Sequence, residues 1–215
     1  MDVLQGLDSG DKFPWHVQGL PYTVELPLVR VPAGDKVLRI ASLNLVGQVR
    51  LNRDLGVLLA RKVRAVVGNM SGVVLLTVVE KGLQLAQVVA EELGLEAMAV
   101  AYNRVKPHME ADRRPVLQVG ASSITSGGKF LALYERDMNL LATGKRFILL
   151  DDVVSTGGTI FSLADLLEEV MRQRQLPPPV IEGIFCAAIE GDQSPLLPAP
   201  VHAVGILPVP VTETA

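Results

Sequence analysis

Hydrophobic and polar positions along this chain follow two different periods, and the switches between them mark its elements. "GVVLLTVVE", residues 72–80, is continuously apolar and β-branched, the pattern of a strand covered on both faces. "GLQLAQVVAEELG", residues 82–94, follows with Leu85, Ala86, Val89 and Leu93 at helical spacing and Gly94 placed to end the helix. "LEAMAVAYN" is then another buried strand. This order predicts a right-handed βαβ unit in a parallel sheet. The strand "RFILLDD", the helix "TIFSLADLLEEVMRQRQ", a stop at Pro177, Pro178 and Pro179, and the strand "VIEGIFCAAIE" repeat the unit. Upstream, Asn52 is placed as the N-cap of an amphipathic helix carrying Leu55, Leu58, Leu59 and Val63 on one face. The expected architecture is α/β, a doubly wound, mainly parallel sheet flanked by helices, and ligands of such sheets sit at the carboxyl ends of the strands.

Two regions break the pattern. Residues 1–35 are rich in Gly, Pro and scattered aromatics without a sustained period, and predict an irregular arm leading into short strands around 22–31 and 36–41. Residues 102–128 form a long polar insertion before the short strand "KFLALY". An insertion of that kind is either a functional lid or a solvated surface hairpin.

Composition narrows the possibilities. A chain of 215 residues suffices for one domain with an appended flap. With 20 Lys and Arg against 23 Asp and Glu, net charge −3, no overall basic field exists to draw in nucleic acid or an anionic membrane, so an anionic ligand has to be gripped locally. The single cysteine, Cys186, lies in an apolar run and is expected to be a reduced core thiol, which points to the cytoplasm. No export signal and no membrane span are expected.

The chemistry concentrates in "FILLDDVVSTGGTI", residues 147–160. Gly157 and Gly158 permit a tight turn that exposes successive N–H groups, Ser155, Thr156 and Thr159 offer hydroxyls, and a helix begins at once with its positive end toward the loop. That is an anion cradle, or else a hydroxyl cap and a plain turn. Asp151 and Asp152 weigh toward a compound ligand. Carboxylates repel a bare phosphate, so they must serve hydroxyls, a bound Mg²⁺ or developing positive charge beside it. A sugar phosphate meets both demands. "SGGKF" has Ser123 and Phe130 where a P-loop needs Gly and Ser or Thr, and His16, His108 and His202 are too scattered for a metal motif.

This stretch resembles the PRPP-binding motif of the type I phosphoribosyltransferases: an apolar strand, two acids, two apolar residues and a short Ser/Thr/Gly loop. The resemblance implies a 5-phosphate on Ser155, Thr156, Gly157, Gly158 and Thr159, with Asp151 and Asp152 toward the ribose. Glu80, Lys81 and Gly82, at the end of the preceding parallel strand, resemble the family's pyrophosphate loop. The insertion is similar in place to the family's lid, which makes Arg104 and Lys106 candidates for neutralising pyrophosphate and Lys106 a catalytic candidate beside the acid pair. Residues 1–50 loosely resemble the arm and hood that contribute to the base site of xanthine phosphoribosyltransferases, with 51–215 as the core domain. Asn44 is then a base-binding candidate, or simply a turn residue. "FPWHVQGLPY" offers an aromatic stacking surface, or Phe13 and Trp15 serve a core or a dimer. The implied activity is transfer of the phosphoribosyl group of PRPP to a purine of the xanthine or adenine type. Mg²⁺ would be held largely by substrate, and the form would be a homodimer. The rivals are an orotate-type enzyme and a regulator that binds PRPP or nucleotide without turnover.

Overall fold

The computed structural model describes residues 8–34, 36–103, 117–119 and 131–213. Most of the 102–128 insertion, with Arg104 and Lys106, lies outside the described residues.

The parallel sheet predicted from the apolar runs is present, with five strands. β4 (Val73–Val78), β5 (Ala99–Ala101), β8 (Arg146–Val154), β9 (Ile181–Glu190) and β10 (Val201–Leu207) stand in the order β10-β9-β8-β4-β5, every pair parallel. Every side chain of β4 is buried, as its unbroken apolar run requires. α1 (Val49–Val67) and α2 (Leu83–Leu93) pack on one face through Leu55, Leu59, Leu85 and Val89. α3 (Glu135–Thr143) and α4 (Gly158–Gln173) pack on the other through Met138, Leu141, Leu163 and Leu167. The chain leaves β4 for β5 in one direction and runs from β8 to β9 and β10 in the other. The strand order therefore reverses between β4 and β8, and a crevice opens outside their carboxyl ends.

The strands expected around 22–31 and 36–41 are present, whereas the stretch before them is a further strand and not an irregular arm. β1 (Asp8–Trp15), β2 (Val24–Ala33) and β3 (Lys36–Ala41) form an antiparallel sheet, and β11 (Val211–Glu213) from the far end of the chain joins it beside β3. Arg30 Nε donates to Glu213 Oε2 at 2.7 Å, so the closing strand is held by charge as well as by its ladder. Trp15 is buried and belongs to the core shared with α1 and α2, not to a stacking surface.

Asn52 is not a cap. The helix starts earlier, at Val49 after Gln48, and Asn52 is buried one turn inside, its Nδ2 donating to Leu45 O at 2.6 Å and Gln48 O at 2.9 Å. The amide fastens the loop that enters the helix. Within the insertion, β6 (Leu117–Val119) pairs antiparallel with β7 (Leu131–Leu133) beyond it, and Tyr102 bridges to Ala132.

Cys186 is a buried thiol opposite Asp151 in the β8–β9 register, and burial pushes its pKa up to about 12. A thiol reagent at neutral pH should leave the native protein unmodified and label it fully in denaturant. Because the folded pKa lies above the ordinary value of 9.0, the thiol's share of stability is intact below pH 9.0 and is lost as pH rises toward about 12.

Candidate active site at the strand-order reversal

A cleft of about 470 Å³ opens at the carboxyl ends of the parallel strands. β4 and the turn after it supply Val78, Val79, Glu80 and Lys81; β8 and its loop supply Asp151, Asp152, Val153, Ser155 and Thr159. Asn103 follows β5, Glu190 ends β9 and Leu207 ends β10. Ile40, Ala41, Ser42 and Leu43 of the antiparallel sheet and its exit form the facing wall. Residues from both sheets thus enclose one space.

Asp151 and Asp152 are both buried, at 6% and 9% exposure, where unpaired carboxylates would be costly. Asp151 Oδ1 accepts from the Asp152 N–H at 2.9 Å, which fixes one carboxylate against its own backbone. Thr77 Oγ1 donates to Leu150 O at 2.9 Å, locking β4 to β8 just before the acids.

The loop after the acids ends in Gly157, which sits at φ +90° and ψ 12°, a conformation that glycine adopts without strain. Gly157 is the N-cap of α4. No side chain caps that helix, and no acid lies in its first turn. Ser155 and Thr156 are therefore not caps, and Ser155 lines the cleft instead. α2 begins in the same manner: its N-cap is Gly82, with no side-chain cap and no acid in the first turn. By contrast α3, whose start is not part of the cleft wall, carries Glu135 and Asp137 in its first turn. Two helix starts without a capping side chain or a first-turn acid, as at α1 also, flank the acid pair, and free N–H groups at such starts can receive anions on either side of it.

Gly82 couples the two loops. A Cβ there would lie 3.2 Å from Asp152 N and 3.4 Å from Asp151 C, so the turn after β4 is seated on the backbone of the acid pair. Gly82→Ala, which adopts the observed φ of −78° freely, should displace these loops by a few tenths of an ångström. For PRPP, the ligand that the resemblance implies, affinity measured by calorimetry should fall on the order of tenfold with little change in Tm.

Of the residues singled out from sequence, Glu80, Lys81, Asp151, Asp152, Ser155 and Thr159 line the cleft. Gly82, Thr156, Gly157 and Gly158 shape the two turns behind it. Asn44 is not among the cleft residues: it is exposed and its Oδ1 accepts from the Val46 N–H at 3.1 Å, the arrangement of an Asx turn. Asn103, Glu190 and Leu207 carry no signal beyond their positions at strand ends, whereas the Ile40–Leu43 wall lies within residues 1–50, the region expected to contribute to the base site. Glu190 is half-buried, and its pKa is raised by burial. Gln84 Oε1 accepts from the Gly47 N–H at 2.7 Å and so ties the loop after the wall to the first turn of α2. At the far edge, buried Asp137 accepts from the Val100 N–H at 3.1 Å and from Arg136 at 2.6 Å, steadying β5 where Asn103 leaves it. Among the described residues, no three His, Cys, Asp or Glu side chains gather into a metal cage.

Known proteins offer an independent comparison. No curated protein sequence matches the chain. Among solved structures, a crystal structure of adenine phosphoribosyltransferase superposes with a TM-score of 0.50 at 15% identity, over 72% of this chain and 80% of that one. Adenine phosphoribosyltransferase from Thermoanaerobacter pseudethanolicus ATCC 33223 gives 0.46 at 17% identity, over 76% of this chain and 83% of that one. The enzyme from Trypanosoma brucei, solved with AMP, pyrophosphate and ribose-5-phosphate, gives 0.46 at 14%, over 84% and 65%. The family model for the phosphoribosyl transferase domain matches residues 49–174, from the first residue of α1 past the end of α4, so both candidate loops fall inside it. The chain belongs to the phosphoribosyl transferase domain family and is a phosphoribosyltransferase.

Proposed function

We propose that this protein transfers the 5-phosphoribosyl group of PRPP to a purine base of the xanthine or adenine type, releasing pyrophosphate in nucleotide salvage, as a cytoplasmic homodimer. The observation that carries the proposal is the buried pair Asp151 and Asp152 between two uncapped helix starts at the strand-order reversal. PRPP has anionic groups at both ends and a ribose between them, and the order of groups along the cleft complements it. The 5-phosphate takes the Ser155–Thr159 loop and the head of α4. The diphosphate takes the backbone N–H groups of the Glu80, Lys81 and Gly82 turn at the head of α2, joined in this proposal by Arg104 and Lys106. The ribose hydroxyls meet the two acids.

Displacement at the anomeric carbon forms the bond from a ring nitrogen of the base and breaks the bond to diphosphate. Positive charge gathers on the ribose while negative charge leaves with the diphosphate. Carboxylates beside the ribose and N–H donors at the diphosphate bind that separated charge more tightly than the ground state, which lowers the barrier. The donor set offered by Asp151 and Asp152 is hard oxygen, which fits Mg²⁺ bound by one or two carboxylates together with substrate oxygens. The ion would supply neutralisation of the departing diphosphate.

The test offers purified protein PRPP and Mg²⁺ with adenine, xanthine, hypoxanthine, guanine, uracil and orotate, and measures pyrophosphate release. Turnover with a purine is expected. Saturable PRPP binding without turnover of any base would overturn the enzymatic reading and leave a sensor, and turnover of orotate alone would move the acceptor to a pyrimidine.

A further inference from the structure

Among the described ionisable residues of the cleft wall, Glu190 is the one that stands outside the loops assigned to PRPP. It ends β9, pairs with Leu207 of β10 in the parallel register, and stands one residue beyond Ile189, the partner of Val154 on β8. It therefore lies on the far side of the acid strand from Glu80 and Lys81. Leu207 stands beside it in the register, Ser155 follows Val154 at the adjacent strand end, and Ile40, Ala41, Ser42 and Leu43 line the same cleft. No hydrogen bond or ion pair to another described residue holds its carboxyl, although it is half-buried and burial raises its pKa. A partly desolvated carboxyl without a protein donor gains from a hydrogen-bond donor, and an N–H group of a ligand in the cleft can supply one.

With the phosphate, ribose and diphosphate assigned to the other loops, the part of the reaction left for this end of the cleft is the acceptor. A carboxylate accepts from N–H groups and repels carbonyl oxygens and anionic substituents. We infer that Glu190 reads the acceptor by accepting from its exocyclic amino group, so that the base is an aminopurine and not an oxopurine or a carboxylated pyrimidine. The inference rests on the transferase reading and narrows its acceptor to one side of the xanthine-or-adenine choice. The apolar wall contributes stacking and exclusion of water, and Glu190 contributes the sign of the discrimination.

Two pairs of bases differ only in the group at issue: adenine and hypoxanthine at position 6, guanine and xanthine at position 2. The wild-type kcat/KM should favour the amino member of the pair it uses. Glu190→Gln keeps the shape but adds a donor that accommodates an oxo group, and should shrink that preference by roughly 10- to 100-fold. PRPP affinity, measured by calorimetry, should stay within about twofold, because the carboxyl is assigned no donor contact. Preference for the oxo member in the wild type, an unchanged ratio in Glu190→Gln, or a parallel loss of PRPP affinity would each overturn the assignment. If the wild type binds PRPP but turns over no base, the transferase reading fails separately. Calorimetry with AMP against IMP and GMP against XMP, in both proteins, then decides the role of Glu190 by the same criterion.

Discussion

Asp152→Asn should lower kcat by about 10²- to 10³-fold while Tm changes little and PRPP affinity falls far less than kcat. The substitution keeps the volume of a side chain that is 9% exposed and removes only its charge, so the cavity and overpacking terms that dominate core mutations do not arise. What disappears is attraction for positive charge that exists on the ribose in the transition state and hardly at all in the ground state. Such a loss lowers kcat and kcat/KM together. The neighbouring acid is expected to respond differently. Asp151 already accepts from the Asp152 N–H, so Asp151→Ala, which removes that acceptor, also disturbs the loop backbone and should lower PRPP affinity along with kcat. Steady-state kinetics of both variants, with calorimetric PRPP titrations, separate the two roles. An Asp152→Asn enzyme with wild-type kcat would remove the acid pair from the mechanism.

How much of this is legible in the sequence depends on how local each signal is. The stretch from Phe147 to Ile160 can be read because strand, acids, turn and helix start follow one another without interruption, and each is encoded by neighbours. The same holds for β4 and α2. The antiparallel sheet is obscure because its closing strand is separated from β3 by most of the chain, and nothing in "VPVTE" says what it will pair with. α3 is hidden because its nine residues begin at Glu135, after Tyr134, without a capping side chain. Asn52 misleads because a cap-forming residue type stands near a helix start, whereas the true entry at Gln48 carries no side-chain cap. In the site, the seat of Gly82 on the acid pair and the place of Glu190 in the wall arise only when strands that are distant in sequence lie side by side. A single acid at the end of an apolar run has no spacing to betray it.

The second large effect lies at the junction of the two sheets. Trp15→Ala should destabilise the protein by about 3–5 kcal/mol, a fall in Tm on the order of 10 °C for a chain of this size. Trp15 is 1% exposed, its Nε1 donates to Ile206 O at 2.9 Å, and a Cβ on Gly205 would lie only 2.3 Å from its Cζ2. The indole therefore lies directly against the backbone of β10 and holds the antiparallel sheet, with its wall Ile40–Leu43, over the cleft. Trp15→Phe keeps most of the apolar volume and gives up the hydrogen bond, for about 1 kcal/mol. Gly205→Ala should be costly in the wild-type background and markedly less so when combined with Trp15→Ala, since the added methyl group then fills space that the ring vacated. Because the chain has a single tryptophan, the emission of Trp15 reports the wild-type and Gly205→Ala transitions directly, and circular dichroism follows the Trp15 variants. Additive losses in the double mutant would show that the ring and the glycine are independent, and that the wall of the cleft is held in place by other contacts.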